Sequence, residues 1–290
     1  KTKDKVAIVQ GSGSGHEPAH VMAVGKGMLD AACPGDVSAA PPTEYVLEAA
    51  RRVATEKGVL LLVNNYTGDK MAFEMAAELA AAEGIKVRTL FINDDVAVEA
   101  SLYTIGRRGV AGNFFVMKAV GAAAEAGADL DEVVRIGEKV NAATRTMGVA
   151  LSSCIPPAKG TPLFEIAEDE MEIGVGIHGE PGRRRAKIGT ADEIVDELLH
   201  AIVPDLPFTS GDEVALMVNG LGGTPISELY ILYGTAHSRL DGQGITVGRS
   251  YVGEYCTALD MAGASITLVK LDDEIKSLLA APAEIAARIF

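Results

Sequence analysis

Three titratable side chains follow apolar runs in the sequence, and each stands next to a glycine. His16 follows VAIVQ within GSGSGHEP, Asp69 follows VLLLV at the end of NNYTGD, and His178 follows MEIGVGI within HGEPG. A histidine can act as a nucleophile or proton carrier near neutral pH, and a carboxylate can act as a general base. Glycine lets the backbone approach a small ligand closely. The pattern therefore favours chemistry on a small polar substrate.

The elements that must position these residues alternate between aliphatic runs and Ala/Glu-rich stretches, which is typical of an α/β protein. Several runs are continuously apolar, as expected of strands that helices cover on both faces. The predicted strands are Val6–Gln10, Val59–Val63, Val87–Ile92, Val149–Cys154, Glu172–Ile177, Val214–Asn219, Thr246–Val252 and Ser265–Leu271. The predicted helices are Thr43–Glu56, Lys70–Glu83, Asn113–Ala126, Leu130–Thr146, Ala191–Ile202 and Ile226–Gly242. Ligands of such folds bind beyond the carboxyl ends of strands, where the three candidates stand.

A domain boundary is predicted where a long helix gives way to a new strand. We expect two α/β domains, with helices packed on largely parallel or mixed sheets. The first covers residues 1–145 and carries His16 and Asp69, and the second covers residues 146–290 and carries His178.

Standard nucleotide-binding motifs are missing from the sequence. The glycines of the first loop run GxGxG rather than GxGxxG, and the Gly25-Lys26 pair lacks the remainder of a Walker A motif. The protein-kinase HRD and DFG sequences are also missing. We therefore expect no cofactor in this chain.

Two arrangements leave a metal site open as an alternative. His16, Asp69 and His178 could supply three zinc ligands, although glycine-rich loops favour backbone contacts with a polyol, and we rank metal lower. The run at 93–95, Asn-Asp-Asp, could bind a cation, or it could cap a helix or form a turn.

The composition excludes some classes of binding partner and indicates a cell compartment. The net charge of -14 argues against a nucleic-acid or anionic membrane surface. No apolar run approaches the ~20 residues of a membrane-spanning helix. The three cysteines form no CxxC pair, which is typical of reduced thiols and predicts a cytoplasmic protein. Because the chain begins at Lys1 without Met, we expect a further segment to precede it.

Several segments together closely resemble the DhaK-type subunits of dihydroxyacetone kinases. They are GSGSGHEPAH, NNYTGD, INDDVAVEASLYTIGRRGVAG, MEIGVGIHGEPG, VNGLGGTPISELY and YCTALDMAGASITL. The resemblance extends from about Lys5 to Pro282. It implies a two-domain α/β subunit, usually a homodimer, that binds dihydroxyacetone.

The resemblance also implies a role for each candidate residue. His178 would hold the ketone carbon as a covalent hemiaminal, His16 would hydrogen-bond the substrate and assist proton transfer, and Asp69 would be the general base. The backbone of Gly13, Ser14 and Gly15 would cradle the ketose. The sequence departs from the family at two places, since Asn64 replaces a substrate-contacting Lys and Ser12 replaces a glycine.

Two alternatives stay open. A shorter, neutral side chain at Asn64 would suit a four-carbon ketose such as erythrulose. The chain could also be a ketose-sensing paralogue without turnover.

The family further divides by phosphoryl donor, which is either a fused nucleotide-binding domain or a separate subunit. Because the chain stops soon after Pro282, we expect a separate DhaL-type partner. That partner would hold Mg-ATP or Mg-ADP and would be recharged through the phosphotransferase system.

Overall fold

The computed structural model describes residues 4–97, 106–180 and 182–286. The strands are β1 Ala7–Ser14, β2 Gly25–Lys26, β3 Ala31–Val37, β4 Val59–Asn64, β5 Val87–Ile92, β6 Thr144–Ala150, β7 Glu170–Ile173, β8 Arg184–Lys187, β9 Glu213–Gly220, β10 Thr246–Gly253, β11 Gly263–Lys270 and β12 Glu284–Ile285. The helices are α1 Thr43–Val53, α2 Thr67–Ala82, α3 Asn113–Glu125, α4 Leu130–Ala142, α5 Ala191–Asp205, α6 Ile226–Gly242 and α7 Asp273–Ala280, with a 3-10 turn at Val21–Ala23.

The first sheet has the strand order β3-β1-β4-β5, and all of its pairs are parallel. Its central strands are buried on both faces, which explains their continuously apolar sequences. Ile8 and Leu60 face a core that includes α3 and α4, whereas Val9 and Leu61 pack with α1 and α2. The carboxyl ends of β1 and β4 therefore lie side by side at one edge of this sheet.

The second sheet has the order β10-β9-β11-β6-β7-β8 and is mixed, with β9 and β10 parallel and the other pairs antiparallel. Helices α5 and α6 cover one face around Leu216 and Ile266. Ala215 and Met217 face the other way, into the core that the first sheet shares. The α/β class with parallel and mixed sheets is confirmed.

Helix α3 lies in this shared core. Every described residue from Asn113 to Ala124 is buried, and a helix that is hydrophobic on all sides is expected at the centre of a protein. Its residues pack with both sheets, so α3 fixes the distance between them. None of the helices over the described ranges is long and apolar enough to cross a lipid bilayer.

The border between α4 and β6 differs from the prediction. The helix predicted to reach Thr146 ends at Ala142, and the strand predicted over Val149–Cys154 runs over Thr144–Ala150. Pairing with β11 along the whole of β6 satisfies its backbone, and β-branched Thr144 and Thr146 favour that conformation. A cut between residues 145 and 146 would fall within β6, and the division into two domains stays a prediction.

Candidate functional site

The three candidate side chains come together where the two sheets meet. His16 lies in the loop after β1, Asp69 in the first turn of α2, and His178 in the turn after β7. The imidazole rings of His16 and His178 meet edge to face, with their centroids 4.7 Å apart. Asp69 and His178 line one cavity of about 460 Å³. Known ligand pockets measure roughly 300–1,000 Å³, so a small ketose can enter this cavity.

Four parts of the chain form the cavity wall. They are the loop between β3 and α1, the start of α2, the segment between β6 and β7, and the turn that carries His178. The start of α2 points backbone N–H groups toward the cavity, and its dipole favours negative charge there. The two sheets thus contribute different chemical groups to one site.

Neighbouring residues hold the turn at His178 in a defined conformation. Gly179 adopts φ +75°, a conformation that side-chain-bearing residues rarely adopt. The backbone N–H of His178 donates to the carboxylate of Glu180 at 3.0 Å. Its ring packs edge to face on Tyr66, with the centroids 4.4 Å apart. These contacts hold the imidazole against the cavity wall.

Burial, aided by the positive charge of Arg108 and by His20, lowers the pKa of His178 to about 4. At neutral pH the ring is therefore uncharged and has a nitrogen lone pair. A neutral imidazole of this kind can attack an electrophilic carbon.

His16 is fully buried beside His178, and one of its nitrogens is held by the backbone. Nδ1 lies 2.8 Å from the carbonyl oxygen of Thr257, which can only accept, so Nδ1 carries the hydrogen. Nε2 is buried and has no hydrogen-bond partner among the described residues. Burial, followed by the neighbouring His178, lowers the pKa of His16 to about 3. His16 can therefore accept a hydrogen bond from a ligand hydroxyl at Nε2.

Asp69 is a carboxylate whose pKa is raised toward neutrality. Burial raises the pKa to about 7, while a hydrogen bond from Ser12 acts in the opposite direction. Its Oδ1 atom is buried and lacks a hydrogen-bond partner in the described part of the chain. A general base works best when its pKa lies near the working pH. Asp69 meets that condition.

The loop predicted to cradle the ketose makes several bonds of its own. The backbone N–H of Gly15 donates to the carboxylate of Glu17 at 3.0 Å. The hydroxyl of Ser14 donates to the carbonyl of Gly35 at 2.7 Å. A ketose that used the Gly15 amide would have to displace Glu17. Ligand contacts with the backbone of Gly13, Ser14 and Gly15 stay a prediction.

Asn64 ends β4 and is completely buried. Its Oδ1 atom accepts a hydrogen bond from Nε2 of Gln10 at 3.2 Å. Its Nδ2 atom and Oε1 of Gln10 are buried without a partner among the residues described. This amide pair leaves one donor and one acceptor between the middle of β1 and the end of β4, but neither residue lines the cavity.

Sequence reasoning missed a buried ionic network behind His178. The guanidinium of Arg108 is fully buried and donates to the carboxylate of Asp95 and to the carbonyl of Gly174, each at 2.6 Å. It also lies 3.4 Å from the carboxylate of Glu180, which holds the backbone of His178. Glu180 and Arg108 both stand in segments that carry the family resemblance, but no sequence signal separates Arg108 from its neighbours.

The acidic run at 93–95 has roles within the fold. The carboxylate of Asp94 accepts from the backbone N–H groups of Val110 at 2.9 Å and Gly112 at 2.8 Å, just before α3. Asp95 binds Arg108. Over residues 4–97, 106–180 and 182–286, no group of three His, Cys, Asp or Glu side chains could hold a metal ion. The geometry therefore favours the cap and turn interpretation of this run.

Comparison with known proteins adds a family match. The chain matches the Dak1 domain over residues 1–287. It is 49% identical to the dihydroxyacetone-binding subunit DhaK of PTS-dependent dihydroxyacetone kinase 1 from Listeria innocua, over 94% of this chain and 83% of that protein. It is 45% identical to the dihydroxyacetone-binding subunit DhaK of the PEP-dependent dihydroxyacetone kinase of Escherichia coli, over 96% of this chain and 85% of that protein. The D-erythrulose kinase of Mycolicibacterium smegmatis is 42% identical over 98% of this chain, which spans 49% of that protein.

Solved structures share the fold. The dihydroxyacetone kinase operon co-activator Dha-DhaQ superposes with a TM-score of 0.94 at 35% identity, over 100% of this chain and 90% of that one. The dihydroxyacetone kinase of C. freundii, in complex with AMP-PNP and Mg²⁺, gives a TM-score of 0.91 at 37% identity. That match covers 98% of this chain and 52% of the other.

Proposed function

The chain belongs to the Dak1 family, and on that premise we propose that it is the ketose-binding subunit of a dihydroxyacetone kinase. The observation that carries the proposal is one cavity lined by the uncharged His178 and by Asp69, a carboxylate of near-neutral pKa, with the uncharged His16 packed against the ring of His178. This set contains a nucleophile, a hydrogen-bond acceptor and a base. Each is needed to capture a ketone and to activate its hydroxyl.

Capture begins with the lone pair of a ring nitrogen of His178. The lone pair adds to the ketone carbon, and the electrons of the C=O π bond move to the oxygen. That oxygen gains a proton and the other ring nitrogen loses one, which leaves a neutral hemiaminal. The adduct cannot lose water to form a neutral imine, so capture is reversible. Glycerol has no electrophilic carbon and is excluded by reactivity.

Phosphoryl transfer then requires a free terminal hydroxyl of the bound ketose. Asp69 accepts the hydroxyl proton at Oδ1 as the oxygen attacks the phosphorus, while Nε2 of His16 accepts a hydrogen bond from the substrate. Transfer of this kind depends chiefly on positioning and electrostatic stabilisation. Acceptor and donor sites can therefore be on different proteins.

The phosphoryl donor in this proposal is a DhaL-type partner that holds Mg-ATP, or that holds Mg-ADP and first gains a phosphoryl group from the phosphotransferase system. The chain itself forms a homodimer in the cytoplasm. The sequence has no Walker A motif, which supports a nucleotide site outside this chain. The names of the relatives from Listeria innocua and Escherichia coli describe them as binding subunits of larger kinases. A net charge of -14 would suit a basic rim on the partner.

A four-carbon ketose is the second candidate substrate. The neutral Asn64 at the end of β4 and the similarity to a D-erythrulose kinase both favour it. A sensor without turnover is the third candidate, and the fold of the operon co-activator favours it. The presence of Asp69 in the cavity that His178 lines argues against a sensor, because ketose capture alone needs no base.

Reconstitution tests the proposal directly. The purified chain is mixed with a nucleotide-bound DhaL-type subunit, and ketose phosphate is measured with dihydroxyacetone, erythrulose or glycerol as substrate. We expect product from a ketose only when both proteins are present. Capture of a ketose without product from any donor would favour the sensor. Product from the chain and Mg-ATP alone would contradict the partner requirement.

A further inference from the structure

Ser12 and Asp69 form a buried hydrogen bond. The hydroxyl Oγ of Ser12, on β1, donates to Oδ2 of Asp69 at 2.9 Å. The two residues are 0% and 2% exposed. Oδ1 of Asp69 has no partner among the described residues. Asp69 thus has one oxygen held by the protein and one available to a substrate hydroxyl.

The alternation of β1 explains why a serine fits at position 12. Successive side chains of a strand point to opposite faces. A Cβ atom on Gly11 would lie 2.1 Å from the carbonyl oxygen of Cys33, and one on Gly13 would lie 2.5 Å from the backbone nitrogen of Ala39. Ser12 lies between these close approaches and points to the other face. The backbone of a central strand therefore fixes the position of its hydroxyl.

We propose that Ser12 is a positioning residue for Asp69, holding one carboxylate oxygen so that the other faces the hydroxyl that it must deprotonate. The proposal rests on the function of Asp69 proposed above. A glycine at this position could not form this bond. No other described side chain holds the Asp69 carboxylate by a hydrogen bond.

Ser12 also affects the charge of Asp69. Burial favours the protonated acid, whereas a hydrogen-bond donor favours the ionised carboxylate. Hydrogen bonds to an ionised acceptor are stronger than those to a neutral one. Removal of the hydroxyl would therefore keep Asp69 protonated up to a higher pH and leave its carboxyl group free to rotate.

The dependence of kcat on pH tests this role. Ser12→Ala and the native chain are compared from about pH 5.5 to 9, with saturating ketose and one preparation of nucleotide-bound partner. We expect the acid limb of the Ser12→Ala profile to move up by about one pH unit, which is about tenfold in turnover on that limb, or ~1.4 kcal/mol. Ketose capture should not change. Ser12→Thr keeps the hydroxyl, and its acid limb should lie at the same pH as that of the native chain.

Thr267→Val is the matched control. It removes a buried hydroxyl on β11 that bonds Thr146 at 2.8 Å, outside the cavity. We expect it to lower stability without moving the acid limb. An unmoved limb in Ser12→Ala would overturn the proposal even if turnover fell. Ser12→Gly gives the same comparison should Ser12→Ala fail to fold.

A second measurement needs neither partner nor substrate. The carboxyl carbon of Asp69 is followed by ¹³C NMR during a pH titration and assigned by its loss in Asp69→Asn. The pKa should be higher in Ser12→Ala than in the native chain, and equal values would overturn the role of Ser12. A native chain that converts no ketose with any partner would defeat the proposed function but would leave this test intact.

Discussion

The imidazoles of His16 and His178 meet edge to face with their ring centroids 4.7 Å apart, although one follows a strand of the first sheet and the other a strand of the second. His16 is buried, and the neighbouring His178 helps to lower the pKa of His16, because two imidazolium ions at this distance would repel each other. The sheets must keep their relative position for this contact to persist. The shared core around α3 provides that constraint.

Ketose capture should be independent of pH from about 5 to 8. The nucleophile is neutral imidazole, and burial together with Arg108 lowers the pKa of His178 to about 4. An unperturbed histidine, with a pKa of 6.5, would lose capture progressively below that value. Calorimetry with dihydroxyacetone at each pH measures the affinity, and circular dichroism checks that the protein stays folded. A tenfold loss of affinity per pH unit below about 6.5 would contradict the lowered pKa.

Replacement of His178 by alanine should abolish the covalent adduct. The variant retains the cavity but lacks the nitrogen that bonds the ketone carbon. Mass spectrometry of protein incubated with dihydroxyacetone and then reduced or trapped should place one ketose on the peptide containing His178. His237→Ala is the control, because His237 is exposed on α6, away from the cavity, and its loss should leave the adduct in place. Native affinity for ketose in His178→Ala would rule out covalent capture.

The sequence predicted the elements whose patterns are strongest. Val87–Ile92 and Ile226–Gly242 have the predicted bounds, because an apolar run and a helical period of full length leave little ambiguity. The edge strands β3 and β8 were missed. β3 contains Pro34, and three of the four residues of β8 are charged. Both features are typical of edge strands, but only the pairing in the folded protein identifies these segments as strands.

Part of the site was predictable because its residues follow strongly patterned strands. His16, Asp69 and His178 each follow a strand, and the rule for open α/β sheets brings such residues together. Arg108 binds the carbonyl of Gly174, 66 residues away, and no local pattern encodes that contact. The bond between Ser12 and Asp69 joins residues 57 positions apart and likewise depends on the packing of β1 against α2.

Asp69→Asn should retain capture and lose turnover by roughly two orders of magnitude or more. The amide keeps the shape of the carboxylate but cannot take a proton. The substitution should also stabilise the fold at high pH. Because burial raises the pKa of Asp69 from 3.8 to about 7, native stability falls as the pH rises between these values. We expect the free energy of unfolding of Asp69→Asn to exceed that of the native chain by about 4 kcal/mol at pH 8, with a smaller difference near pH 4.

Urea unfolding at the two pH values measures this difference. Asp131→Asn is the control, since Asp131 is 87% exposed and pairs with Arg88 at the surface, where ion pairs contribute little. Its effect on stability should be small at both pH values. Near-native turnover in Asp69→Asn with the same donor would place the base elsewhere, and a stability difference independent of pH would contradict the buried carboxylate.

The last prediction concerns substrate choice at Asn64. The buried amide pair of Asn64 and Gln10 leaves one donor and one acceptor without a partner among the described residues, and neither side chain lines the cavity, so a change at Asn64 would act on the substrate through the pocket wall. Asn64→Lys would replace the amide by a longer cation and break the bond to Gln10.

We therefore expect the ratio of kcat/KM for a four-carbon ketose to that for dihydroxyacetone to be severalfold higher in the native chain than in Asn64→Lys, a difference of about 1 kcal/mol or more. Both proteins are assayed with both substrates and one donor preparation. Gln10→Ala breaks the amide pair without adding a charge, so an equal change in that variant would assign the preference to the pair rather than to the lysine. An unchanged ratio in Asn64→Lys would mean that Asn64 does not select the substrate, and dihydroxyacetone would then be the simpler assignment.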